Sequence, residues 1–145
     1  MTADSSLPGQ GLAGSLIELD APLIAIIEDD RRIATMIRNF LEGVGYRVAC
    51  FERGREGLTA AGRIRPAAII LDLLLPDLSG REVLTALKAN PQTKEIPVII
   101  TSAIPHTLSP TECRLAHRVL PKPFGLVTLL KTLDGIARGK APALP

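Results

Sequence analysis

The chain has no excess of charge. Seventeen Lys and Arg stand against fifteen Asp and Glu, a formal net charge of +2 over 145 residues, so there is no electrostatic case for nucleic-acid binding. It has only two cysteines, Cys50 and Cys113, too far apart for a metal or redox spacing. They read as reduced apolar fillers of a cytosolic protein. No apolar run nears the ~18 residues of a membrane span. No basic residue precedes the first apolar cluster, where Asp4 stands instead, so the start of the chain is a poor signal peptide. No Gly-rich phosphate loop follows the first apolar segment, which sets aside a dinucleotide or flavin binder. There are no repeats and no low-complexity tract. Trp is absent and aromatics are sparse, with one Tyr and three Phe, yet 46% hydrophobic and 22% charged is a globular composition. The length suits one domain that buries its own core. These absences leave a soluble, cytoplasmic, single-domain protein with no membrane contact.

What is present is organised around residues 67–80, AAIILDLLLPDLSG. Ala67 to Leu71 is an unbroken apolar run, as expected of a central strand covered on both faces. It delivers Asp72 to its carboxyl end, the edge where open α/β sheets gather their chemistry. Residues 1–21 read as a Gly- and Ser-rich extension in which Leu16, Ile17 and Leu19 add at most a short packed turn, and Pro22 closes it. Residues 22–140 form the domain and 141–145 a frayed tail. Within the domain, strands are expected at 23–27, 46–51, 67–71, 96–101 and around Val119 and Leu120. A helix follows each. The first has Ile33, Ile37, Phe40, Leu41 and Val44 on one face and stops at Gly43 and Gly45. The second, 56–64, is weaker and is broken by Gly57 and Gly62. The third opens on a capping box, Ser79 with Glu82, carries Val83, Leu84 and Leu87, and ends at Asn90-Pro91. The fourth opens on a second box, Ser109 with Glu112, with Pro110 at the first helical position. The fifth has Leu126, Leu129, Leu130, Leu133 and Ile136 on one face, and Arg138 and Lys140 near its terminal dipole. Five strands in strict alternation with five helices give an α/β fold with a parallel sheet and right-handed crossovers.

That arrangement brings Glu28 and Asp29 after the first strand, Asp72 after the third, Ser102 after the fourth and Lys122 after the fifth to one edge. Singly, each has a plain explanation as dipole compensation, a turn residue or a solvated lysine. Together they crowd one sign of charge. Two carboxylates ~4 Å apart repel by about 4 kcal/mol at an effective dielectric near 20. Three converging acids therefore splay apart, protonate, or hold a hard divalent cation, and oxygen ligands with open water positions suit Mg²⁺.

On these residues the chain resembles the receiver domain of bacterial two-component response regulators, from residue 23 to about 137. The motifs are AIIEDD, IILDLLLPDLSG, IPVIITSA and LPKPF. Their intervals agree: 43 residues from Asp29 to Asp72 and 30 from Asp72 to Ser102. The resemblance implies a flavodoxin-like doubly wound (βα)5 sheet of strand order 2-1-3-4-5. It implies that Asp72 is the phosphoacceptor, taking a phosphoryl group from a sensor histidine kinase or a histidine phosphotransfer protein. Asp29 would ligate Mg²⁺ directly and Glu28 through water, with Asp72 and the backbone carbonyl of Leu74 completing the protein ligands. Lys122 would pair with the acceptor and then with a phosphoryl oxygen, and Ser102 would donate its hydroxyl to another. Lys122-Pro123 would be a cis peptide. Asp30 is left to start the helix. The protein would promote only its own phosphorylation and dephosphorylation and would not be an enzyme in the ordinary sense. The kinase would meet Arg31, Arg32, Thr35 and Met36 on the first helix and the loop at 123–125.

The pattern departs from the family in three places. Val119 stands where an aromatic residue usually reports phosphorylation. Ala116-His117-Arg118 replaces the usual Gly-Ala-Asp approach to the fifth strand. The interval from Ser102 to Lys122, 20 residues, is about two short. The two positions that tune water attack in the family are Leu74 and Ile104, both apolar, so slow autodephosphorylation is expected; Ala103 keeps the entrance open. An aspartyl-phosphate phosphatase would need a second acid where Leu74 stands. A degenerate receiver, docking partners without phosphate, is the remaining alternative. The expected protein is a stand-alone receiver that acts by phosphorylation-controlled protein binding or in a phosphorelay. It would have a downstream protein target and no direct DNA binding, and the family allows a homodimer. His106 and His117 are expected to face solvent.

Overall fold

The structure, a computed structural model, describes residues 21–138. Five strands, β1 (Leu23–Ile27), β2 (Arg47–Phe51), β3 (Ala68–Asp72), β4 (Val98–Ser102) and β5 (Arg118–Pro121), alternate with five helices. The helices are α1 (Arg31–Gly43), α2 (Gly54–Ile64), α3 (Gly80–Ala89), α4 (Pro110–Leu115) and α5 (Leu126–Leu133). All strand pairs are parallel and the order is β2-β1-β3-β4-β5, the expected doubly wound sheet. Almost all of the 1–21 extension and the 141–145 tail, with Lys140, lie outside the described residues.

The side-chain alternation of β1, β3 and β4 divides the core in two. Ile24, Ile26, Ala68, Ile70 and Ile99 face α1 and α5, where Ile37, Leu41, Leu129 and Leu133 meet them. Ala25, Ile27, Ile69, Leu71, Val98 and Ile100 face the other way, toward Ala61 of α2 and Val83, Leu84 and Leu87 of α3. Strands buried on both faces read in sequence as continuous apolar runs, which is why the central three were visible.

Several boundaries differ from expectation. Tyr46 is buried just before β2, which starts at Arg47 and pairs its backbone with β1. β3 and β4 run one residue further than expected, so Asp72 and Ser102 are the last residues of their strands rather than the first beyond them. Val44 is not on the core face of α1; it caps the helix and is exposed. α2 runs straight through Gly57 and Gly62. At Gly57 the reason is packing, since an added Cβ would stand 2.5 Å from Cδ1 of fully buried Ile27. Glycine there lets α2 approach β1, and the lost helix propensity is offset by that contact. Ile136 keeps its buried place but on a π-turn, Asp134–Arg138, rather than on α5. α4 has six residues only and ends before the bend carrying exposed His117. His106 is also exposed, in a 3₁₀ turn, Pro105–Thr107. Cys50 is half-buried against the first core, but Cys113 is exposed on α4 and fills nothing.

Candidate functional site

Register sets the site. Ile27 pairs with Leu71, Asp72 with Thr101, and Ser102 with Pro121, so Glu28, Asp72, Ser102 and Lys122 leave neighbouring strands at nearly one level. Strand ends buried on both faces hold side chains that loops alone could not hold. Glu28 is 4% exposed, Asp72 6% and Ser102 1%, while Asp29 opens to solvent. Carboxylate oxygens of Glu28, Asp29 and Asp72 all lie within 4.8 Å of one another.

Lys122 reaches into this acid group from β5. Its Nζ donates to Glu28 Oε1 at 3.1 Å and to Asp72 Oδ1 at 3.3 Å. Lys122-Pro123 is a cis peptide. Glu28 Oε2 accepts from the backbone N–H of Asp30 at 3.1 Å, and Asp72 Oδ1 from that of Leu74 at 3.4 Å. Burial, and then the Asp72 charge, push the Glu28 carboxyl up to about 7, against the pull of the Asp30 N–H and of Lys122. At Lys122, burial works to lower the ammonium, but its bond to Glu28 and the two acid charges outweigh that and leave it raised. One ammonium is thus shared between two largely buried acids, with a third beside them: a site short of positive charge.

That shortage is what a divalent cation would relieve, so the donor set fits Mg²⁺: hard oxygens from three carboxylates, with Asp29 exposed so that water could reach the ion. Leu74, whose carbonyl the resemblance adds, stands on the loop leaving β3 with its side chain 60% exposed. That loop is held closely. Gly80 N donates to Leu73 O at 2.8 Å, and an added Cβ on Gly80 would lie 2.4 Å from the Asp72 carbonyl oxygen, so only glycine lets α3 start there. Asp30 is the N-cap of α1, accepting from the N–H groups of Arg32 and Ile33.

A family model described as the response regulator receiver domain matches residues 24–134. The chain belongs to that family. It is 32% identical over 122 residues to the response regulator MprA of Mycolicibacterium vanbaalenii, covering 82% of this chain and 52% of that one. It is 35% identical over 116 residues to the transcriptional regulatory protein YkoG of Bacillus subtilis, covering 79% and 50%. The chain therefore spans about half the length of the curated relatives it matches. Among solved structures, it is similar to the receiver domain of a sensor histidine kinase from Pseudomonas aeruginosa, which has a magnesium ion coordinated in its active-site cleft. The TM-score is 0.74 at 27% identity, over 81% of this chain and 98% of that one. A CheY-like receiver domain from Methylobacillus flagellatus gives 0.74 at 27% identity, over 81% and 99%.

Of the residues expected from sequence, Glu28, Asp29, Asp72, Ser102 and Lys122 are brought to one edge, with Leu74 on the loop that leaves β3. Two others that shape it had no such forecast. Asp77, given no role in the sequence analysis, accepts from Gly54 N at 2.8 Å and Arg55 N at 3.0 Å, capping α2 from the loop that follows Asp72. The cap residue of α2, Arg53, supplies no side-chain bond of its own. An acid inside a Pro-Asp-Leu-Ser-Gly turn was the available signal, but its target lies 23 residues upstream. Arg81, which crosses to the loop after β4, had no local signal, because its partners are 26 and 31 residues away. Among the described residues, no helix is long and apolar enough to cross a membrane.

Proposed function

We propose that this receiver domain accepts a phosphoryl group on Asp72 from a histidine kinase or a phosphotransfer protein, in a Mg²⁺-dependent step, and signals by phosphorylation-controlled protein binding or in a phosphorelay. The observation that carries the reading is the meeting of Asp72, Lys122 and the acid pair at one buried edge. A carboxylate oxygen of Asp72 attacks phosphorus, the P–N bond of the donor phosphohistidine breaks, and the imidazole leaves. Little covalent help is needed from the protein; position and charge neutralisation do the work. Lys122, already on Asp72 Oδ1, shifts to a phosphoryl oxygen as the charge moves there. Ser102 offers its hydroxyl to a second. Mg²⁺, which Asp29, Asp72 and the Leu74 carbonyl would hold directly and Glu28 through water, would supply the remaining positive charge. The longer relatives are regulators of which this chain matches about half.

Intact mass after incubation with Mg²⁺ and acetyl phosphate tests the reading, with wild type and Asp72→Asn side by side. One added phosphoryl group in wild type only, abolished by chelator, is the expected result. No gain in a wild type that binds Mg²⁺ overturns it in favour of a docking module that works without phosphate.

A further inference from the structure

The Ser102 hydroxyl is one end of a chain of hydrogen bonds that leaves the site. Its Oγ accepts from Ile104 N at 2.8 Å. The Ile104 carbonyl accepts from Thr107 Oγ1 at 2.8 Å and from Thr107 N at 3.1 Å, closing a tight turn. Arg81 then holds that turn from α3: Nη2 donates to Thr107 Oγ1 at 2.6 Å and to Thr107 O at 2.9 Å. Its Nη1 donates to Glu112 Oε1 at 2.5 Å, the same oxygen that takes Ser109 N in the α4 capping box. The guanidinium fork thus ties three pieces of chain with charge-assisted bonds, in a pair that is only 31% and 22% exposed, where such bonds hold better than at an open surface. Arg81 is itself fixed, since it follows Gly80, whose backbone is pressed against Asp72.

We propose that Arg81 is a positioning residue for Ser102. Through Thr107 and Ile104 it holds the loop after β4 in a resting position and so opposes phosphorylation of Asp72. This rests on Asp72 being the phosphoacceptor. Swinging Oγ toward a phosphoryl oxygen either strips Ile104 N–H of its acceptor or draws Ile104 along, and drawing it along stretches the Thr107–Arg81 bonds. Coupling of this kind is reciprocal: a phosphoryl group weakens the Arg81 contacts by as much as those contacts weaken the phosphorylated state. The same bonds give the signal a route out. Val119 puts no aromatic ring on β5 to follow the hydroxyl, whereas the Arg81–Glu112 contact leads to the junction of α3 with α4.

The test measures the affinity of beryllofluoride, a phosphoryl mimic, in Mg²⁺, together with amide hydrogen exchange, for wild type, Arg81→Met, Thr107→Val and the double variant. Each single change is expected to tighten beryllofluoride binding about threefold to tenfold, the net worth of one or two such bonds. The double variant should gain little more, because both changes cut one chain. Ile104 and Thr107 amides should exchange faster in the free variants than in free wild type, and faster in wild type once beryllofluoride is bound. If Arg81→Met does not fold, Thr107→Val, altered at an exposed loop residue, carries the same expectation. A wild type that binds beryllofluoride no more weakly than the folded variants overturns the latch and leaves the phosphoacceptor reading standing. A wild type that binds none removes both.

Discussion

At Glu28 the crowding of acids becomes measurable. Its carboxyl, ordinarily near 4.5, is pushed to about 7 by burial first and Asp72 second. The folded state therefore holds a proton there that the unfolded chain gives up. Stability from this group is fully present below about 4.5 and is lost as pH rises through about 7. In chelator, the Tm is expected to fall as the buffer is raised across that window. Saturating Mg²⁺ should raise the Tm at pH 7 and above by more than at pH 5, since binding to the folded state stabilises by about 2.7 kcal/mol at a hundred times Kd and needs the deprotonated acids. Melts at a series of pH values, with and without Mg²⁺, check both. A second expectation at this scale concerns Leu74 and Ile104. Leu74 is exposed beside Asp72 and Ile104 half-buried, and neither side chain can orient water. The pair Leu74→Asn with Ile104→Glu should speed loss of the phosphoryl group by about tenfold or more, read by the decay of intact mass in Mg²⁺ after the phosphodonor is removed.

Among the elements, α2 depends on a residue outside itself. The N–H groups of Gly54 and Arg55 at its start are met by Asp77, and those donors, Arg55 first, hold the Asp77 carboxyl below its ordinary value. Asp77→Ala is expected to lower the Tm by roughly 5 °C at neutral pH. The difference from wild type should narrow as pH falls below the usual carboxylate range, because the contribution of a lowered acid is lost on protonation. Thermal melts at pH 7 and at about pH 2, below the ordinary 3.8 of an aspartate, read it. The same bonds mark what could and could not be seen in sequence. The capping boxes Ser79–Glu82 and Ser109–Glu112 are local, four residues each, and both form as expected. The central strands announced themselves as apolar runs, and the site acids by standing at their ends. Asp77 on α2 and Arg81 on Thr107 join residues whose proximity exists only after the sheet has formed, and no spacing encodes that. Gly57 misled for a related reason: a glycine that weakens an isolated helix is what allows this one to touch Ile27.

For the whole molecule, one edge of the sheet gathers the acid group and Lys122, and exposed residues stand on the elements beside it. Arg31, Arg32, Thr35 and Met36 are exposed on α1, and Pro123 and Gly125 are exposed on the far side of Lys122. Met36, half of its surface open, is the large apolar residue among them. Met36→Asp is expected to slow phosphotransfer from a protein donor by about tenfold, the loss of a modest interface anchor. The rate with acetyl phosphate should stay unchanged, and side-by-side mass measurements with the two donors separate the effects. The two thiols offer something else. Cys50 is half-buried, its thiol pushed up by burial against the pull of Arg38, whereas Cys113 stands exposed on α4, next in sequence to the Glu112 that receives Arg81. A maleimide dye at neutral pH should therefore label Cys113 well ahead of Cys50. The sequence thus carries its own attachment point for an optical probe at the far end of the Arg81 contact, ready for stopped-flow fluorescence with no engineered mutation.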